Sequence, residues 1–357
     1  MMPLKGPYDP DPTSEEDLWF LPGPVEAGTS DPWAPPLPMA GAARLPRVAD
    51  WMRGQGDLAA DLAQAAMAFG ALDARARQMG RGLVQRLVLT EVADLSWHLG
   101  ERISADRLAL YLSGRLAGTG DAARALYGAS WAVRRLRNGG NPLEDLGAFL
   151  GRGSGAKIGS DIEGFGWMLA PQGEEFQALA GAWAQRLSQA GALHPFVQAA
   201  FGWMLWSMLE LSGDAPGIEA AVSAACLAAR AGRGGLGFVP LAMGGGMALR
   251  QSGEAPVRLA AWLSDVERAC LRGLMLADQL AGWQQRALRQ TAHLSGRTPP
   301  LLIDVLLGWP MVPSSLAERE TGASRATVLR NLERFEDLGL IRERTGQGRY
   351  RFWEVAL

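Results

Sequence analysis

The chain is poor in the residues that most often carry chemistry. It has three histidines, His98, His194 and His293, far apart in sequence, and two cysteines, Cys226 and Cys270. No metal-ligand spacing arises from them, so neither a metal nor a cofactor is expected. Each cysteine lies in an apolar helical pattern (AAVSAACLAAR and DVERACLRGLM) and reads as a core thiol of a reducing cytoplasm rather than half of a disulfide. No serine or cysteine nucleophile has a recognisable partner, so no catalytic residue is assigned. Lysine is almost missing: of 35 basic residues only Lys5 and Lys157 are lysines, a usage that fits a GC-rich bacterial genome.

Excess charge is missing as well. The formal net charge is −2, so no whole-molecule field draws the protein to nucleic acid or acidic membrane, and any DNA contact has to come from a local arrangement. The opening MMPLKGPYDPDP has no apolar signal core, which argues against secretion. The most apolar run, Pro195 to Leu209, is shorter than the roughly 20 residues a membrane span needs. A soluble, cytoplasmic protein with no membrane partner is expected.

What is present is apolar periodicity. The hydrophobic fraction of 48% is ample for buried cores in a chain of 357 residues. Residues 1–47, with eleven prolines and seven carboxylates, read as an irregular tail partly draped on the body by Trp19, Phe20 and Trp33. From 48 to 150 apolar residues recur at i, i+3, i+4 and i+7, predicting a helical domain in which Ser104 and Asp121 are suitable N-caps. The stretch GRGSGAKIGSDIEGFG, 151–166, has six glycines. It lacks a phosphate loop's details, since Lys157 follows Ala156 and Ile158 stands where a magnesium-binding hydroxyl belongs, and it reads as a connector. A second helical block, 167–298, includes the glycine-rich patch 232–246, expected to be an ordered loop, and a long apolar repeat from Pro256 to Thr291, as one helix or two. That repeat is the candidate homodimer element.

The last unit, 299–357, has a clearer signature. After Pro299-Pro300, LLIDVLLGW predicts a short helix and SSLAERETG a second, capped by Ser314 and ended by Gly322. Ser324 then caps RATVLRNLERFEDLG, whose Val328, Leu332, Phe335 and Leu338 form one buried stripe. LIRERT and RYRFWEV read as strands joined by Gly346-Gln347-Gly348. The fold class predicted is mainly α, a helical bundle body with a C-terminal winged helix-turn-helix domain.

Over about 56 residues, Pro300 to Val355, this order resembles the winged helix-turn-helix domains of bacterial regulators, in which S-R-x-T-V-x-R-x-L opens the recognition helix and L-G-L-I enters the wing. The resemblance implies double-stranded DNA as partner, read by Ser324, Arg325, Thr327, Arg330, Asn331 and Arg334 on the exposed side of that helix, with Arg349 and Arg351 alternating along the wing. Arginine can take guanine O6 and N7 bidentately and asparagine can do the same for adenine. Against this stands the balance of the unit, eight arginines and eight carboxylates, in which Glu333, Glu336 and Asp337 pair with neighbouring arginines. Winged helices also serve as protein-binding modules.

Phrases such as ALDARARQMGRGLVQRLVLTEVADLSW, SADRLALYL, SWAVRRL and TGQGRYRFW resemble uncharacterised alphaproteobacterial, often plasmid-associated helix-turn-helix proteins, whose N-terminal helical domain has no known function. That likeness implies DNA binding by the C-terminal end and leaves the body's role open between dimerisation, ligand sensing and partner binding. A remoter resemblance is to Fic-type AMP transferases that end in a winged helix. Their motif, His-x-Phe-x-acid-Gly-Asn-Gly-Arg, is matched by His194-Pro195-Phe196, and GSDIEG, Gly159 to Gly164, is similar to their inhibitory S-x-I-E-G helix. Gln198, Ala199, Ala200, Phe201 and Gly202 replace the remaining motif elements, so His194 is expected to start a helix rather than act as a base. A Fic-derived nucleotide-handling enzyme and a protein-interaction adaptor are the alternatives.

Overall fold

Thirteen α-helices account for most of the residues described in the computed structural model, which are 46–152, 171–213, 217–346 and 351–357. Trp19, Phe20, Trp33, Lys157 and the segment Gly159 to Gly164 lie outside them, as do most of the tail and connector. The first helices are α1 (Val48–Asp57), α2 (Ala59–Met79), α3 (Arg81–His98), α4 (Ala105–Leu112), α5 (Gly120–Asn138) and α6 (Leu146–Leu150). They are followed by α7 (Gly173–Gln189), α8 (Pro195–Met208) and α9 (Gly217–Ala228). Ser104 caps α4, its hydroxyl accepting the Arg107 N–H at 3.2 Å. Asp121 does not cap α5. That helix begins at Gly120 after Thr119, leaving Asp121 in the first turn, where its charge still complements the helix dipole.

The apolar repeat beginning at Pro256 forms one helix, α10 (Ala255–Thr291), of 37 residues, about 55 Å long at 1.5 Å per residue. It packs along α2, and Gly273 permits the approach: a Cβ there would come within 2.9 Å of the Leu72 side chain. The glycine-rich patch, with the residues just after it, is an ordered loop gripped by three buried carboxylates, one from each helix beneath it. Asp73 on α2 accepts the N–H groups of Arg233, Gly235 and Leu236 at 2.9, 2.7 and 2.8 Å. Glu91 on α3 accepts those of Leu241, Ala242 and Met243 at 2.8, 2.8 and 3.0 Å. Asp265 on α10 accepts that of Ala248 at 2.7 Å. Side chains on Gly235 or Gly244 would collide with the backbone of Asp73 or Asp265, which is why glycine is needed at those points. Burial pushes the Glu91 carboxyl up to about 7, against the three N–H groups that favour its charged form.

Both cysteines are buried free thiols, and burial pushes Cys226 up to about 12. No helix among the described residues is long and apolar enough to cross a membrane.

The C-terminal part comprises α11 (Thr298–Gly308), β1 (Val312–Pro313), α12 (Ser314–Thr321), α13 (Arg325–Asp337), β2 (Ile341–Glu343) and β3 (Phe352–Val355). The three strands form an antiparallel sheet in the order β1-β3-β2, with Val312 opposite Trp353 and Ile341 opposite Val355. Packing crosses the boundary expected at 299, and residues 45–357 form one compact unit. The guanidinium of buried Arg86, on α3, donates to the carbonyls of Leu306, Leu307 and Trp309 at 2.8, 3.0 and 2.9 Å, satisfying the C-terminal end of α11, whose carbonyls have no helical partner. Burial lowers its pKa to about 10. On the other side, Trp283 of α10 donates its indole N–H to the Leu340 carbonyl at 2.7 Å, and Arg286 donates to that of Ala356 at 3.1 Å.

Candidate nucleic-acid interface

The site is built on α12 and α13, with a short link between them. Gly322 ends α12 in the left-handed region at φ 65°, its N–H donating to the Glu318 carbonyl at 2.9 Å, a conformation glycine adopts without strain. Ser314, expected to cap α12, is instead its first residue and makes no cap bond. The hydroxyl beside it, on Ser315, accepts from Arg115 at 2.8 Å and ties α12 to the body. Ser324 caps α13, its Oγ accepting the Thr327 N–H at 3.4 Å and lying 3.0 Å from the Thr327 hydroxyl.

The buried face of α13 is Val328, Asn331, Leu332 and Phe335, spaced as one helical stripe. Asn331 is therefore not on the exposed side, as the sequence reading placed it. It is only 5% exposed and its Nδ2 donates to the Thr327 carbonyl at 2.8 Å, which removes it from the set able to reach a base. Leu338, placed in the stripe by its spacing, is 37% exposed, because the helix has ended at Asp337 and the chain turns through Gly339 at φ 67°.

The arginines divide into two groups. The side chains of Arg325, Arg330 and Arg334 are exposed and have no hydrogen bond or ion pair among the described residues. Arg351, expected as a free wing cation, is held from α13: it lies 2.9 Å from Glu336 and 3.6 Å from Glu333, with its guanidinium carbon 4.9 Å from the Trp353 ring centroid. Glu336 also accepts from the Trp353 indole at 3.3 Å. The pairing anticipated for Glu333 and Glu336 thus joins them to the sheet, not to the arginines of their own helix. Arg349 lies outside the described residues, with Gln347 and Gly348. Just before these residues Glu343 accepts the N–H groups of Thr345 and Gly346 at 2.7 and 2.8 Å, and Gly346 has φ 61°.

Beside the end of α13, Arg334, Asp337 and Leu338 face His293, Leu294 and Ser295 across an open groove. Sequence reasoning missed these last residues because they lie in the turn after α10, outside the helix-turn-helix pattern. A usable signal was available in charge: from 279 to 303 the chain has three arginines and a histidine but no carboxylate.

His194 is the N-cap of α8, with Pro195 following it. Its Nδ1 accepts the Phe196 N–H at 3.2 Å, its ring meets that of Phe196 edge-on at 4.9 Å, and its own N–H donates to Gln55 at 2.7 Å. Burial lowers its pKa. Gln198, at the position of the Fic-type acid, is buried and bonded to the Leu187 carbonyl and Arg230, both at 2.8 Å.

The chain matches no protein-family model and no curated protein.

Proposed function

We propose that residues 299–357 form a winged helix whose α13 reads duplex DNA, and that the protein is a cytoplasmic transcriptional regulator with its helical body as scaffold. The reading is carried by one observation: Arg325, Arg330 and Arg334 are exposed and unpaired among the described residues on a helix whose two outward glutamates, Glu333 and Glu336, are drawn toward Arg351. Cations without intramolecular partners on a recognition helix suit guanine edges and phosphates. The order of three helices and three strands, with β1 between α11 and α12, supports the same reading.

Arg325 and Arg330 are assigned to base edges, because the N-terminal turns of a recognition helix lie nearest the groove floor. The bonds from Arg86 and Trp283 hold this unit against the body, so a ligand or second copy acting on the body would act on the reader. A second copy would double a small interface through two-fold symmetry. The long α10, which exposes Leu271 and Met275, is its proposed meeting element. No residue is assigned a catalytic role in this reading.

The test is recovery of genomic DNA bound to the tagged full-length protein. Sharp peaks sharing a sequence are expected. Featureless coverage equal to that of an untagged control would refute the reading.

A further inference from the structure

We propose that a backbone phosphate of the bound duplex lies in the groove between α13 and the turn after α10, with His293 and Ser295 on one lip and Arg334 on the other. The inference rests on the DNA-reading proposal and extends the contact surface beyond the three helices and the sheet of the C-terminal unit.

Three observations lead to it. Arg334 is an exposed cation without a partner among the described residues, and it lines this groove with His293 and Ser295, both exposed donors. The chain leading into and out of that lip is basic throughout: between Asp278 and Asp304 it carries Arg286, Arg289, His293 and Arg297 and no acidic residue. Arg289 and Arg297 are exposed and also unpaired among the described residues. Finally, on the flank of α13 that Glu333 and Glu336 occupy, Arg351 is already bound to both carboxylates, so the cation described there is neutralised before any phosphate arrives.

The helix spacing agrees. Thr327 and Arg334 lie on one side of α13 with Arg330 between them along the axis, while Glu333, three residues beyond Arg330, and then Glu336 lie further round toward Arg351. An anionic strand following that first side from the N-terminus of α13 arrives at Arg334 and the groove. One group opposes the phosphate, Asp337, which lines the groove and has no ion pair among the described residues. Its removal should therefore tighten binding, a gain that misfolding cannot produce.

A phosphate contact carries no sequence information, so the probe is a labelled mixed-sequence duplex, titrated with the full chain at 50 and 200 mM salt. Ser295→Glu should weaken binding about 10-fold at the lower salt and Asp337→Asn should tighten it about three-fold, with both differences shrinking at the higher salt as charges are screened. Circular dichroism melts matching the wild type would confirm that Ser295→Glu is folded. If both variants bind as the wild type does while Arg330→Ala is weakened, the groove contact is wrong and the DNA-reading proposal stands. If the wild type itself fails to bind at 50 mM salt, both fall.

Discussion

The Arg351 guanidinium lies 2.9 Å from the Glu336 carboxylate, joining the last strand to the helix proposed to read DNA. With the contact to the Trp353 ring and the second carboxylate of Glu333, this makes Arg351 a brace between β3 and α13. Its partners are about one-third exposed or more, so the brace is modest: Arg351→Ala should cost about 1 kcal/mol in urea unfolding and leave the salt dependence of DNA binding unchanged. A drop of about one in the salt slope with unaltered stability would make Arg351 a phosphate contact instead.

Asn331, like Arg351, is expected from the sequence to contact DNA and is instead engaged within the protein. Because its amide is buried and bonded to the Thr327 carbonyl, Asn331→Ala should lower stability by about 1–2 kcal/mol and leave base preference intact. Loss of discrimination at an adenine position, with stability preserved, would return Asn331 to the reading face.

The difference between these residues and the ones read correctly is one of range. Ser324 and Ser104 are legible as caps because a cap is settled within four residues, although the same local rule misses the starts of α5 and α12 by one or two residues at Asp121 and Ser314, and the helical body follows from apolar spacing. Asn331 escapes a stripe defined by apolar residues alone, although it stands three residues after Val328 and four before Phe335. Leu338 keeps the apolar spacing but stands beyond the end of the helix at Asp337. The brace from Arg351 spans fifteen residues to Glu336, and the bonds from Arg86 to α11 span more than two hundred. Such contacts leave no periodic trace, so the sequence marks a boundary at 299 but not the packing that crosses it.

That continuity has a measurable consequence at Trp283, which is fully buried and donates to the Leu340 carbonyl. The same carbonyl keeps the Ala356 N–H as a second donor. Trp283→Phe should thus cost only about 1 kcal/mol, whereas Trp283→Ala, which also empties the space between α10 and the sheet, should cost about 3–5 kcal/mol. Equal, negligible effects in urea titrations would mean that the C-terminal unit does not lean on α10.

Glu91 predicts how stability changes with pH. Its folded pKa, about 7, lies above its ordinary value of 4.5, so the folded state holds a proton that the unfolded state releases between those values. The stabilisation associated with that proton is complete below about pH 4.5 and is lost as pH rises through about 7. Urea midpoints for the wild type should fall across this window, and Glu91→Gln, which has no proton to lose, should flatten the decline. An equal decline in the variant would assign it to other groups, such as Glu219 or Asp94, whose pKa values burial also raises.

The central claim, that α13 reads bases through the arginines near its N-terminus, is tested most directly by equilibrium titration of a recovered genomic site and its scrambled counterpart with wild type, Arg325→Ala and Arg330→Ala. Each variant should lose roughly 1–3 kcal/mol of binding to the site and far less to the scrambled duplex, so that the ratio between the two affinities falls. Isotherms for both variants that superimpose on the wild type, or that weaken equally on the two duplexes, would contradict the account.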